Sequence, residues 1–145
     1  MKILITSDNH GDKKSLEKIL LIHPDMDLYL NAGDSLLEPE ELRPFISVRG
    51  NCDYNQSLLE KIRIPTPYGW LIMQHHPWFK DEDIKNDGNM IFVYGHTHRR
   101  EFKKDYLNRY YINPGSTTLP RDSFGPSYCV LSINEKEVRC DFFTI

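Results

Sequence analysis

The chain has 145 residues, enough for one domain over 1–145 with one continuous core. A hydrophobic fraction of 39%, a charged fraction of 27% and a net charge of -3 are ordinary for a soluble globular protein, and give no electrostatic reason to expect nucleic acid or an acidic membrane as partner. Cys52, Cys129 and Cys140 are odd in number and unrelated in spacing, which supports neither a disulfide framework nor a thiolate zinc site; with a first apolar run too short for a signal peptide or membrane span, a reducing cytoplasm is the expected location.

Residues 2–6, KILIT, read as a buried strand that stops at Ser-Asp-Asn-His-Gly. Leu16, Ile19, Leu20 and Ile22 recur at helical spacing over 13–22, with Asp12 as N-cap and Pro24 just beyond. Two further apolar runs follow: 26–30 leads into Asn-Ala-Gly-Asp, and 45–49 into Gly-Asn-Cys-Asp. The polar stretches 35–43 and 55–61 are long enough for short helices, the first limited by Pro39 and Pro44. A hairpin starts at 62–64, turns through Pro65, Pro67 and Gly69, and returns as a strand at 70–73 that delivers Gln74, His75 and His76. After a charged stretch at 80–88, the strand 90–94 ends in Gly95-His96-Thr97-His98. The last third is β, with strands over 109–112, 127–133 and 136–144. Alternating strands and helices followed by strands predict an α/β chain with two sheets packed face to face and helices outside. Sites in such sheets lie beyond the carboxyl ends of the strands.

Five of the six histidines, His10, His75, His76, His96 and His98, follow predicted strands, as do Asp8, Asp34, Asn51 and Asp53. The pairs Asp8 with His10 and His96 with His98 are spaced i and i+2, which in an extended segment turns both side chains to one side. Imidazole and carboxylate without thiolate suit a divalent transition metal such as manganese, iron or zinc, rather than a calcium cage.

The blocks Asp8-x-His10, Gly33-Asp34, Gly50-Asn51-Cys52-Asp53, His75 and Gly95-His96-Thr97-His98, in that order, resemble the calcineurin-like metallophosphoesterase family, in particular its small bacterial phosphodiesterases. Asn113-Pro114-Gly115-Ser116 and Pro-Ser-Tyr at 126–128 extend the likeness over nearly the whole chain. The resemblance implies an αββα sandwich with Asp8, His10 and His98 on one metal ion, Asn51, His75 and His96 on a second, and Asp34 bridging. It also implies two divalent ions, Mn2+ foremost with Fe, Zn, Ni or Co as alternatives, and hydrolysis of a small phosphate ester. Two such ions about 3.5 to 4 Å apart supply a bridging hydroxide for in-line attack on phosphorus.

This sequence departs from the family at two places. Cys52 stands where many relatives have the histidine that protonates the leaving group, and a thiol with an ordinary pKa near 8.5 is a poor replacement. His75-His76-Pro77 replaces His-Gly-His, so His75 is taken as the ligand with His76 able to exchange roles, and His76 is also a candidate acid. Cys52 is expected to be a small buried filler before a catalytic acid. Asp53 is balanced between orienting a ligand histidine and capping its loop. Asn113 and Ser116 are expected to shape a turn before touching substrate. Arg99 and Arg100 read as a solvated basic pair, His23 as a helix-end residue, and Trp78 with Phe79 as an apolar patch or lid before a wall for an aromatic group. A patch of that kind, with the β-rich C-terminus, leaves a homo-oligomer open. The reading from another class is a metal-stabilised scaffold related to the retromer subunit of this fold, against which the full ligand set argues; phosphomonoesterase and nuclease are the enzymatic alternatives.

Overall fold

The computed structural model describes residues 1–84 and 88–145, so 85–87 of the charged stretch 80–88 lie outside the described residues. Among the described residues ten strands form two five-stranded sheets. In the first, β1 (Lys2–Thr6) is central, parallel to β2 (Leu28–Asn31), which is parallel to β3 (Ile46–Ser47). On its other side β1 runs antiparallel to β9 (Ser127–Ile133), which pairs with β10 (Val138–Thr144). The second sheet has the order β4 (Lys61–Pro65), β5 (Trp70–Gln74), β6 (Met90–Val93), β8 (Arg109–Pro114) and β7 (Arg100–Lys104). Its three inner strands are parallel, and both edge strands are antiparallel to their neighbours.

Alternation along the inner strands distributes the core. Ile3 and Ile5 of β1 join Leu30, Leu71, Met73, Ile91, Val93, Ile112 and Leu131 between the sheets. Leu4, on the opposite face, packs with Leu16 and Ile19 of α1 (Lys13–Ile22) and with Leu42 of α2 (Pro39–Leu42). Asp12 caps α1, its Oδ1 accepting from Ser15 N at 3.0 Å. Pro39 occupies the first turn of α2, where a missing N–H costs nothing, and Glu41 accepts from Glu38 N at 3.0 Å. The outer face of the second sheet carries a smaller cluster, Ile72, Met90 and Phe92 with Phe79 and Tyr111, beside the four-residue α3 (Asp81–Ile84). The fold is the expected two-sheet α/β sandwich with few helices.

The details differ, most clearly in two elements. Residues 55–60 are turns and bends, the expected helix being replaced by local bonds such as Ser57 N to Asn55 Oδ1, and β4 begins at Lys61. Strand β7 was not legible because Arg-Glu-Phe-Lys-Lys is a charged, largely exposed edge, the composition that blunts a sheet edge against further pairing. Among the described residues no helix is long and apolar enough to cross a membrane.

Candidate metal centre

All the expected polar clusters sit at the carboxyl ends of β1, β2, β3, β5 and β6, and there they converge. Asp8 Oδ1 lies 3.3 Å from His98 Nε2, 3.8 Å from His75 Nε2 and 3.9 Å from His10 Nε2. Asp34 Oδ2 lies 3.1 Å from His75 Nε2 and 4.0 Å from His10 Nε2. Asn51 Oδ1 is 2.9 Å from His75 Nε2 and 3.2 Å from His96 Nδ1. Ligand atoms about 2.1 Å from one ion stand roughly 3 to 3.5 Å from each other, so most of these separations suit shared coordination. Among the described residues two groupings, Asp8 with His10 and His98, and Asp8 with Asp34 and His75, have the donors and spacing to hold a metal.

The pairs are not aimed by extended backbone, as their i and i+2 spacing suggested. Asp8, His10, Asp34, His96 and His98 all have positive φ, between 42° and 69°, and they make up most of the non-glycine residues in that region among those described. Each such conformation costs on the order of 1 kcal/mol, and persists where the surroundings over-determine it. Here the loops lock one another: Asp8 N donates to Gly33 O at 3.0 Å, and His10 N to Asp34 O at 3.0 Å.

Side chains and carbonyls around the cluster fix which atoms face inward. Asp8 Oδ2 accepts from Ser7 Oγ at 2.7 Å and from His96 N at 3.0 Å, leaving Oδ1 buried with no hydrogen bond. His10 Nε2 is likewise buried and unpartnered. His75 Nδ1 donates to Ala32 O and His98 Nδ1 to Leu119 O, both at 2.7 Å, so each directs Nε2 at the carboxylates. His76 borders the same cleft, its ring stacked on Trp78 and its Nδ1 buried without a hydrogen bond, but it is His75 whose Nε2 lies 3.8 Å from Asp8 Oδ1 and 3.1 Å from Asp34 Oδ2, which makes His75 the inward histidine of the pair.

Three glycines allow this packing. A Cβ on Gly50 would lie 2.0 Å from Asp34 Oδ1, one on Gly95 2.0 Å from Ser7 Oγ, and one on Gly33 2.7 Å from His75 Nδ1. Asp53 acts on the loop, and among the described residues its hydrogen bonds go to backbone rather than to a histidine: Oδ2 accepts from Asp34 N at 2.9 Å and Gly50 N at 2.7 Å, and Oδ1 from Leu36 N at 3.0 Å. Asn113 donates to Gly95 O and Thr97 Oγ1, while Ser116 Oγ donates to Asp8 O at 2.7 Å. Both are fully buried and brace the ligand loops.

Charge follows the geometry. Burial raises the Asp34 carboxyl, but bonds from His75 and from Cys52 N, with the charge of His75 and His10, bring it down to about 2. Burial lowers His75, yet Asp34 and Asp8 more than compensate and raise it above its ordinary value. The adjacent Asp8 carboxylate raises His98, while burial lowers His76 and His96, helped in each by the charge of His75.

Cys52 is exposed at the tip of its turn, and the buried-filler expectation fails because its backbone N–H, at 2.8 Å from Asp34 Oδ1, carries the contact. Arg100 is not solvated either: Nε and Nη2 are buried, and the guanidinium lies 4.6 Å from the Phe124 centroid and 5.2 Å from that of Phe142. Ser7 and the carbonyls of Ala32 and Leu119 were missed by sequence reasoning. Ser7 had only its place beside Asp8 to signal it, and the carbonyls carry no sequence signal at all.

A model of the calcineurin-like phosphoesterase superfamily domain matches residues 1–136. Two curated bacterial relatives are each 27% identical: the probable metallophosphoesterase YsnB of Bacillus subtilis, covering 99% of this chain and 90% of its own length, and the phosphodiesterase YfcE of Escherichia coli, covering 90% and 87%. Among solved structures, a conserved phosphoesterase-like protein of Streptococcus pneumoniae aligns with a TM-score of 0.84 at 24% identity, over 99% of this chain and 88% of its own. Vps29 of Entamoeba histolytica, in complex with zinc, aligns with a TM-score of 0.70 at 24% identity, over 99% and 98%; at these identities the likeness is one of fold. The orphaned carboxylate and imidazole atoms fit the metal dependence of that family, and the chain belongs to the calcineurin-like phosphoesterase superfamily.

Proposed function

We propose that this protein is a phosphodiesterase working with two divalent ions, manganese foremost and iron, zinc, nickel or cobalt as substitutes. Asp8, His10 and His98 would hold one ion and Asn51, His75 and His96 the other, with Asp34 shared between them. The observation that carries this reading is the pair of buried, unpartnered atoms, Asp8 Oδ1 and His10 Nε2, in the middle of the cluster. Leaving a buried polar group unsatisfied costs about 1–3 kcal/mol, which a bound cation removes.

Such ions, when bound, supply Lewis acidity and a hydroxide nucleophile at neutral pH. The chain's own residues do the rest. His75 and His98 keep their Nδ1 protons on backbone carbonyls and so present Nε2 lone pairs inward. Asp34 adds negative charge where two cations would repel, whereas neutral Asn51 leaves enough positive charge to attract a phosphate. Cys52 and His76 are the available proton donors near the leaving group, and both are weak. Burial and the Asp34 charge raise the Cys52 thiol, and burial with the charges of His75 and His96 lowers His76. Esters whose leaving groups need no protonation should therefore react best, and the phosphodiesterase name carried by YfcE supports the diester. The free thiols support a reducing cytoplasm as the location.

The test is turnover of bis-p-nitrophenyl phosphate against p-nitrophenyl phosphate after loading with manganese. The reading expects metal-dependent hydrolysis with the diester preferred, and absence of metal-dependent turnover of either ester overturns it. The fold likeness to Vps29 favours one other reading, a non-catalytic scaffold, which that negative result would leave standing.

A further inference from the structure

Beside the metal centre an open cleft of about 520 Å³ runs between the 49–60 loop and residues 74–78. We propose that this cleft binds the base of a nucleoside carried on one arm of the phosphodiester, stacked on Trp78. The inference rests on the phosphodiesterase reading and names the substrate class for it.

Trp78 is 70% exposed, an uncommon state for so large an apolar ring, and one of its faces is already used. His76 stacks on it with centroids 5.2 Å apart and planes 18° apart, and with 70% of the residue still exposed the indole keeps free surface for a planar ring. The indole is 5.7 Å from the His96 ring, one of the imidazoles of the cluster, so a substituent on a phosphate at that cluster lies within reach of it.

The platform is set in advance. Gln74 Nε2 donates to His76 O at 2.9 Å and to Trp78 O at 3.0 Å, fixing the backbone that carries both rings. A ring that is already placed loses little freedom on binding. Across the cleft Arg49 pairs with Glu60, which sets guanidinium donors beside a carboxylate acceptor. That combination complements the donor and acceptor edge of a nucleobase, whereas an alkyl arm would leave it unused. Phe79 takes no part, since it packs on Phe92 and Tyr94 away from the cleft.

The experiment compares p-nitrophenyl thymidine 5′-phosphate with p-nitrophenyl methyl phosphate on the manganese-loaded protein. In both, water adds to phosphorus and the bond to p-nitrophenolate breaks, so only the retained arm differs. Stacking on one aromatic side chain predicts a kcat/KM preference of about 10-fold or more for the thymidine ester, lost in Trp78→Leu and largely kept in Trp78→Phe. No preference in the wild type, or one that survives Trp78→Leu, overturns the proposal. A second measurement does not depend on turnover: with Trp70→Phe, Trp78 is the one tryptophan left, and its fluorescence should be quenched saturably by thymidine 5′-monophosphate and not by deoxyribose 5-phosphate. Equal response to both refutes the base site. Lack of hydrolysis of both esters alongside turnover of bis-p-nitrophenyl phosphate overturns the base site, whereas lack of turnover of all three overturns the enzyme reading, and the quenching then still decides whether the cleft takes a base.

Discussion

Replacing Gly50 by alanine adds one methyl group where the fold has no room for it. The new Cβ would stand 2.0 Å from Asp34 Oδ1, 2.7 Å from Asp34 Cγ and 2.5 Å from Asp34 N, whereas carbon contacts are comfortable at about 3.5–4.0 Å. The Asp34 side chain is not free to swing aside, because Oδ1 accepts from Cys52 N at 2.8 Å and Oδ2 faces His75 at 3.1 Å. Relief must either push Asp34 out of the cluster or lift the 50–53 turn from Asp34. Each route breaks at least one bond to a carboxylate, worth about 1.5–3 kcal/mol, and overpacking adds roughly 1–3 kcal/mol. Gly50→Ala should therefore lose on the order of 3–5 kcal/mol of stability in urea denaturation of the metal-free protein. Displacing Asp34, or the turn that carries Asn51, should also weaken manganese binding by at least about 10- to 100-fold in calorimetric titration. Gly125→Ala is the control: Gly125 has φ +85° and nothing within 4 Å of a new Cβ, so it should lose about 1 kcal/mol with manganese affinity unchanged. A Gly50→Ala protein with wild-type stability and manganese affinity would refute the reasoning.

Asn113→Ala strips donors from Gly95 O and Thr97 Oγ1 and an acceptor from Gly115 N, all under the His96–His98 loop; a loss of about 3 kcal/mol, or roughly 10 °C in Tm, is expected by calorimetry. Asp34 is held at about 2 against an ordinary 3.8, which corresponds to roughly 2 kcal/mol of metal-free stability, present above pH 3.8 and lost as pH falls toward 2. Denaturation of wild type and Asp34→Asn across that window should show the wild type alone losing it. In the metal-free protein, NMR should find His75 and His98 titrating above 6.5 and His76 and His96 below. Metal competes with those protons, so manganese affinity should rise as pH increases through the His75 and His98 range. Cys52→Ala should retain most turnover of bis-p-nitrophenyl phosphate in a steady-state assay, because the backbone N–H of that residue, not its thiol, holds Asp34.

The convergence of the site was legible because its residues follow apolar runs whose burial the sequence states openly, and buried strands in two sheets must end on a common rim. What aims the ligands was less legible. Spacing of i and i+2 suggested extended segments at Asp8–His10 and His96–His98, yet all four residues have positive φ, held by bonds between loops distant in sequence. Such bonds leave no periodic trace. Asp53 could be assigned to the loop and not to a histidine only once Asp34 N, Gly50 N and Leu36 N were seen around its carboxylate. Similarly, β7 carries charge where buried strands carry β-branched residues, so only its pairing with β8 reveals it. Arg100 looked solvated by its type and its neighbour, whereas two phenylalanines from other elements cover it.

The central claim is that these converged side chains form a metal-dependent phosphoesterase centre, and Asp34 is the residue on which that claim turns. Steady-state hydrolysis of bis-p-nitrophenyl phosphate by manganese-loaded wild type and Asp34→Asn, each before and after chelation, tests it most directly. The account predicts turnover by the wild type that chelation abolishes, with little left in the variant. Turnover indifferent to metal, or equal in wild type and Asp34→Asn, would contradict it.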